Sequence, residues 1–258
     1  MPDATATSVR RFYDELAPDY HRIFADWDAS MDRQARALDA LLGPARRRVL
    51  DCACGIGTQA IGLARRGHDV TGSDLSPVAA ARATAEAAAR GVRLPATAGD
   101  LRALPFAPAA FDAVVCADNS LPHLLTEADV HTALTGMRRV LRADGLLILT
   151  VRDYDALRRT RPASTPPQTS TAPDGATAIT FQLWHWHDDG ERYDLRHFQL
   201  VPDGPDGADW RVRERRTTYW ALTARQLTDL VTRAGFTDVT WHSPEESGFY
   251  QPVLTARR

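Results

Sequence analysis

The chain has 258 residues, 44% of them apolar and 25% charged, with a formal net charge of −2. That length buries one substantial core with room for an elaboration, and the near-neutral charge gives no reason to expect nucleic acid or an anionic membrane as partner. No apolar run approaches the roughly 20 residues of a spanning helix. The polar stretch Met1 to Arg11 lacks a signal-peptide core, so the cytoplasm is expected. The 31 basic side chains are all Arg, which excludes a Schiff-base lysine and a P-loop lysine.

The first 42 residues read as helical, with Val9, Phe12, Tyr13 and Leu16, then Met31, Ala35, Leu38, Leu41 and Leu42 at helical spacing. Pro18 interrupts the first segment and Gly43-Pro44 ends the second. Alternation follows: strand 48–51, helix 58–66, strand 69–74, helix 77–90 with Pro77 in its first turn, and a weak strand 92–98. Then come strand 111–117, helix 127–142, a turn at Gly145 and a continuously apolar strand 146–151. Strands alternating with helices, several apolar throughout, predict a parallel sheet covered on both faces.

The pattern breaks after Arg161. Residues 162–178, rich in Pro, Ser and Thr, read as an exposed loop. Strands 178–187, 192–201 and 210–220 follow, separated by the turn-like Asp188-Asp189-Gly190 and Pro202 to Gly207. They predict an antiparallel ribbon inserted late in an α/β domain. Helix 223–234, a stop at Gly235 and strands 237–242 and 251–256 complete the chain. Cys52 and Cys54 alternate at a strand end, so they would share one face without a mutual disulfide. With Cys116 they read as buried free thiols.

The densest signal is Val49-Leu50-Asp51-Cys52-Ala53-Cys54-Gly55-Ile56-Gly57-Thr58, with Asp74 at the end of the next strand. Gly55 to Ala60 satisfies a dinucleotide fingerprint, which leaves an NAD-dependent oxidoreductase as one reading. Three features point elsewhere: Asp51 four residues before the first glycine, the absence of a second phosphate turn, and Asp100 closing the next strand. Together, from about residue 46 to 151, they resemble the motif series of class I S-adenosylmethionine-dependent methyltransferases. The resemblance implies a Rossmann-like seven-stranded sheet, mostly parallel with its last strand antiparallel, bearing an N-terminal helical cap and the inserted ribbon. Asp74, with Leu75 beside it, would hold the ribose hydroxyls, and Asp100 the adenine amino group with Leu101 on the ring. The glycines Gly55 and Gly57 would let the backbone approach the cofactor. Asp51 would either touch the methionine ammonium or organise the turn. Ala53 stands where many of that family carry a further glycine.

Further stretches are similar to glycine and glycine/sarcosine N-methyltransferases, and to enzymes that methylate ring nitrogens in natural products such as toxoflavin precursors. They are Tyr13 to Tyr20, Trp27 to Gln34, Asp118 to Leu124, and Val151-Arg152-Asp153-Tyr154-Asp155. That resemblance implies Asn119 and Arg152 at the substrate, with Asn119 also beside the cofactor and Tyr219 as a substrate-site tyrosine. Tyr20, Trp27 and Arg33 would close over the cofactor, Arg33 towards its carboxylate. A guanidinium fork suits a carboxylate or planar acceptor. For a base the sequence offers His123 first and Asp118 second, and no cluster has metal-ligand spacing.

The expected organisation is one domain: cap 1–43, cofactor core 44–160, substrate cover 161–221 and the end of the core 222–258. The expected function is N-methylation of a small molecule. Alternatives are O- or C-methylation, a non-methylating S-adenosylmethionine-binding protein, and the oxidoreductase.

Overall fold

The computed structural model describes residues 4–171, 177–203 and 209–258. The cap is α1 (Ala4–Leu16), a 3-10 helix (Ala17–Ile23) and α2 (Trp27–Leu42), whose N-cap Asp26 accepts from the Ala29 amide. Then follow β1 (Arg48–Asp51), α3 (Thr58–Arg65), β2 (Asp69–Asp74), α4 (Pro77–Ala89), β3 (Ala96–Ala98), β4 (Phe111–Cys116), α5 (Glu127–Val140) and β5 (Leu141–Thr150). After α6 (Tyr154–Thr160) come β6 (Gln168–Thr171), β7 (Thr177–Trp186), β8 (Arg192–Asp203) and β9 (Asp209–Trp220). The chain ends with α7 (Ala224–Arg233), β10 (Thr237–His242), α8 (Pro244–Ser247) and β11 (Val253–Arg257).

The main sheet has seven strands in the order β10-β11-β5-β4-β1-β2-β3, with β11 antiparallel to both neighbours. Successive residues of β1 explain its two-sided burial. Val49 joins Val70, Val115 and Ile148 under α2, α3 and α4, whereas Leu50 joins Val114, Leu147 and Leu149 under α1, α5 and α7. Each such aliphatic side chain contributes roughly 1.5–3 kcal/mol on burial. Strand order reverses between β1 and β4, which opens a crevice beyond their carboxyl ends.

The second sheet is the antiparallel meander β6-β7-β8-β9. It has four strands rather than three, because Gln168–Thr171, expected in a loop, pairs with β7. The expected loop's Ala172 to Ala176 and the second separator's Gly204 to Gly207 lie outside the described residues. Leu141 and Arg142 extend β5 instead of α5, and Gly145 belongs to a bulge in β5 where the register against β4 shifts. Strand β3 is shorter than expected, and α6 was not expected. Cys52 and Cys54 lie in opposite core layers, since the strand ends at Asp51 and the chain turns there.

Candidate active site

The turn after β1 is built from left-handed glycines, Gly55 at φ 52° and Gly57 at φ 97°. The φ of Gly57 is one that other residues rarely adopt, and a Cβ there would also sit 2.8 Å from Ile61 Cδ1, so α3 starts on a position that favours glycine. The Gly55 amide donates to Asp74 Oδ2 at 2.8 Å, and the Ser76 amide to Asp74 Oδ1 at 2.9 Å. Each Asp74 oxygen keeps acceptor capacity. Burial pushes the Asp74 pKa up to about 6 against these two amides. Asp51 is fully buried, and neither carboxylate oxygen has a hydrogen-bond partner among the described residues. Burial, opposed by the nearby Ala53 and Ala60 amides, raises it to about 7.

A cavity runs along this turn. Tyr20, Ala53, Gly55, Asp74, Leu75, Asp100, Leu101, Asp118 and His123 line it. Tyr13, Ser120 and Leu124, from the stretches Tyr13 to Tyr20 and Asp118 to Leu124 but given no role there, also line it, as do Gln59, Leu125, Thr126 and Asp129, which no motif singles out. Asp100 caps the helical turn that follows it and takes the Arg102 guanidinium at 2.7 Å. Asp51, Gly57 and Trp27 do not line the cavity. Trp27 stands behind Thr58, donating to its Oγ1 at 2.9 Å.

A second cleft lies between the ribbon, α2 and the β10–β11 loop. Arg33 and Arg152 line it, so Arg33 faces this cleft rather than the first cavity. Its walls include Phe24, Phe181, Trp184, Trp241, Phe249 and Tyr250. Arg152 donates to the Tyr193 hydroxyl at 2.6 Å and to Gln182 Oε1 at 3.5 Å. Its guanidinium carbon lies 4.9 Å from the Trp184 ring centroid and 5.2 Å from that of Tyr219. Burial pulls its pKa down, but Tyr193, Tyr154 and Tyr219 outweigh that and raise it. Of Trp184 and Trp186, which share a face of β7, Trp184 is covered by the Arg152 guanidinium, and both pack against Tyr193.

Asp118 lines both cavities. It and Asn119 have φ of 57° and 65°, a conformation that Asp and Asn tolerate better than other side chains. Thr150 Oγ1 accepts from the Asp118 amide at 2.8 Å, and the Tyr250 hydroxyl donates to Asp118 Oδ1. Burial raises the Asp118 pKa against that hydrogen bond and the Arg152 charge. Asn119 lines neither cavity; its Oδ1 accepts from the Arg152 amide at 3.2 Å and its Nδ2 is buried without a partner among the described residues. Tyr219 is also behind the wall, its ring 4.1 Å from that of His123. His123 contacts Tyr13 through Nε2 at 2.8 Å and Thr217 through Nδ1 at 3.3 Å. Burial and the Arg152 charge lower its pKa to about 3.

Among the described residues no group of three His, Cys, Asp or Glu could hold a metal ion, and no helix is long and apolar enough to cross a membrane.

Residues 49–145 match the methyltransferase-domain family. Over 153 residues the chain is 38% identical to a glycine/sarcosine N-methyltransferase of Parasynechococcus marenigrum, covering 56% of this chain and 54% of that one. The chain spans about half the length of the curated relatives it matches. The CcbJ methyltransferase of Streptomyces caelestis has the same fold, with a TM-score of 0.75 at 20% identity, covering 95% of this chain and 97% of that one. So has CalS10, an amino pentose methyltransferase of Micromonospora echinaspora solved with S-adenosylmethionine bound. There the TM-score is 0.69 at 22% identity, covering 93% and 95%. Residues 49–145 therefore carry a methyltransferase domain, and the chain shares its fold with solved methyltransferases, one of them holding S-adenosylmethionine.

Proposed function

We propose that this chain methylates a ring nitrogen of a flat, polar small molecule in the cytoplasm, using S-adenosylmethionine. One observation carries the reading: Asp118 lines both the cavity built on Asp74 and Gly55 and the aromatic-walled cleft beside Arg152. The first cavity's residues fit the cofactor. Asp74 has acceptor capacity for ribose hydroxyls, and Asp51, a buried carboxylate behind the cavity wall with no hydrogen bond among the described residues, would attract the ammonium from there. Asp100 with Leu101 would take the adenine, and Tyr20 would close over Gly55. Trp27 and Gly57 would act indirectly, shaping the start of α3.

When bound, the cofactor supplies an electrophilic methyl group on a sulfonium. The protein's work is alignment, exclusion of water and proton removal. Arg152, held by Tyr193 and Gln182 between two aromatic rings, orients the acceptor, and Asn119 fixes the backbone of Arg152. Asp118 accepts the proton that leaves the ring nitrogen as the nitrogen–methyl bond forms. Although His123 was the first base candidate, its low pKa suits it better to seating Tyr219 and Tyr13. Residues 1–43 cap the site, 44–160 hold the cofactor, 161–221 cover the acceptor and 222–258 complete the core.

The aromatic walls of the cleft, among them Phe24, Phe181, Trp184 and Trp241, favour a ring over a two-carbon amino acid. The similarity to a glycine/sarcosine enzyme keeps an amino-acid acceptor as the second reading. Calorimetry with S-adenosylhomocysteine comes first, and failure of the folded protein to bind it defeats both. A panel of azaheterocycles and amino acids with labelled methyl donor then separates them. Asp118→Asn is expected to keep cofactor affinity and lose about 100-fold or more in turnover of ring acceptors. Arg152→Ala is expected to raise KM about tenfold or more for acidic acceptors; unchanged KM for all of them removes that role.

A further inference from the structure

The ribbon turns one face to the acceptor cleft, and the polar groups on it are incompletely satisfied. Gln182 and His197 are register partners on β7 and β8, and Thr180 lies two residues from Gln182 on the same face. All three line the cleft. Gln182 Oε1 accepts from Trp184 Nε1 at 3.0 Å and from Arg152 Nη2 at 3.5 Å. Indole and guanidinium are donors only, so these contacts fix which end of the amide is oxygen. The Gln182 NH2 is left as a donor group, and it enters no hydrogen bond among the described residues. His197 is 4% exposed and its Nε2 has no partner among the described residues. The Thr180 hydroxyl, 5% exposed, also makes no hydrogen bond among the described residues.

Burying a polar group unpaired costs free energy, and of these three groups His197 Nε2 is so buried among the described residues. A ligand that pairs with it recovers that cost. Gln182 offers only N–H donors here, and His197 offers an N–H in the tautomer that protonates Nε2. Resting on the methyltransferase reading, we propose that Gln182, His197 and Thr180 form a second recognition point for the acceptor, which binds a carbonyl-type oxygen on its ring. Gln182 lies two residues along β7 from Trp184, about 7 Å at ordinary strand rise. The point therefore stands about one ring's width from the aromatic platform that Arg152 covers. It selects ring lactams and diketo rings over carbonyl-free azines.

The test uses wild-type protein saturated with S-adenosylhomocysteine and millimolar uracil, 4-pyrimidinone and pyrimidine, read by saturation transfer and competition. Both carbonyl-bearing rings are expected to bind about tenfold or more tighter than pyrimidine, the ratio one good hydrogen bond supplies. His197→Phe is expected to erase that preference while leaving affinity for S-adenosylhomocysteine and pyrimidine unchanged. Thr180→Val, a smaller change, is expected to weaken it and supplies the result if His197→Phe does not fold. No binding of either carbonyl-bearing ring overturns the inference, as does a preference that survives the substitutions. Failure to bind S-adenosylhomocysteine instead defeats the methyltransferase reading itself, so the two failures are distinguishable.

Discussion

Asp51 and Asp74 differ in what surrounds their carboxylates, and that difference is measurable. Asp74 accepts two amides and is raised to about 6, whereas Asp51, with no hydrogen bond among the described residues and only the nearby Ala53 and Ala60 amides to oppose burial, is raised to about 7. Both folded pKa values lie above the ordinary Asp value near 4. Folding therefore favours the protonated forms. Their contribution to stability is complete below about pH 4 and is lost as pH rises through about 6 and about 7. If the cofactor ammonium is held by Asp51, as proposed, it needs the ionised form. Binding of S-adenosylhomocysteine near pH 7 is then expected to release a sizeable fraction of a proton, and Asp51→Asn to abolish the release. Calorimetry in two buffers of different ionisation enthalpy reads this directly. Zero release by the wild type would leave Asp51 organising the glycine turn only. The sequence placed Asp51, Asp74 and Asp100 correctly at strand ends, because periodicity and glycine spacing are local. It could not say which stand behind the cavity wall. Asn119 and Tyr219 come near the cleft in register but turn inward to the Arg152 amide and the His123 ring.

At the scale of elements, a close approach of two helices sits behind the site. A Cβ on Gly62 would lie 2.6 Å from Ala35 Cβ and 2.9 Å from the Met31 carbonyl, so α2 and α3 meet backbone to backbone. The same contact seats Trp27 against Thr58, and Thr58 lines the cofactor cavity. Gly62→Ala is expected to destabilise by about 1–3 kcal/mol. Thermal unfolding would fall by roughly 2–4 °C per kcal/mol, with weaker binding of S-adenosylhomocysteine; an unchanged melting point would mean the helices separate without cost. The glycine was visible in the sequence, but which helix it faces was not. Parity failed for a related reason: Cys52 and Cys54 were read as one strand face, yet the chain leaves strand geometry after Asp51. Strand β6 was hidden because Pro166, Pro167 and the Ser/Thr residues around them carry no apolar alternation. It is held by pairing with β7 instead.

Across the whole molecule, the cap and the ribbon come from distant parts of the chain and meet at Asp19. Its carboxylate accepts from Arg213 and, at 3.3 Å, from Arg215; its carbonyl accepts from Gln199 at 3.2 Å. Arg215 also donates to Gln199 Oε1 at 2.6 Å and is only 5% exposed in its side chain. Asp19 precedes Tyr20, whose ring lies 3.3 Å from where a Gly55 Cβ would stand. One ion cluster thus ties the ribbon over the acceptor cleft to the residue over the cofactor turn. No sequence motif announces it, since a lone Asp in a helical cap and alternating arginines in a strand each read as solvated surface. Asp19→Asn would leave Arg215 buried without its counter-ion, which costs about 3 kcal/mol in comparable buried pairs. Thermal unfolding is expected to fall accordingly. Hydrogen exchange is expected to quicken in both Ala17–Ile23 and β9, while β1 and β4 stay protected. Affinity for S-adenosylhomocysteine should fall with it, because Tyr20 loses its anchor. Replacing Arg215 by Met removes the buried charge instead and should be milder. If Asp19→Asn quickens exchange in β9 alone, with cofactor affinity intact, the two covers move independently and the cluster only staples the ribbon.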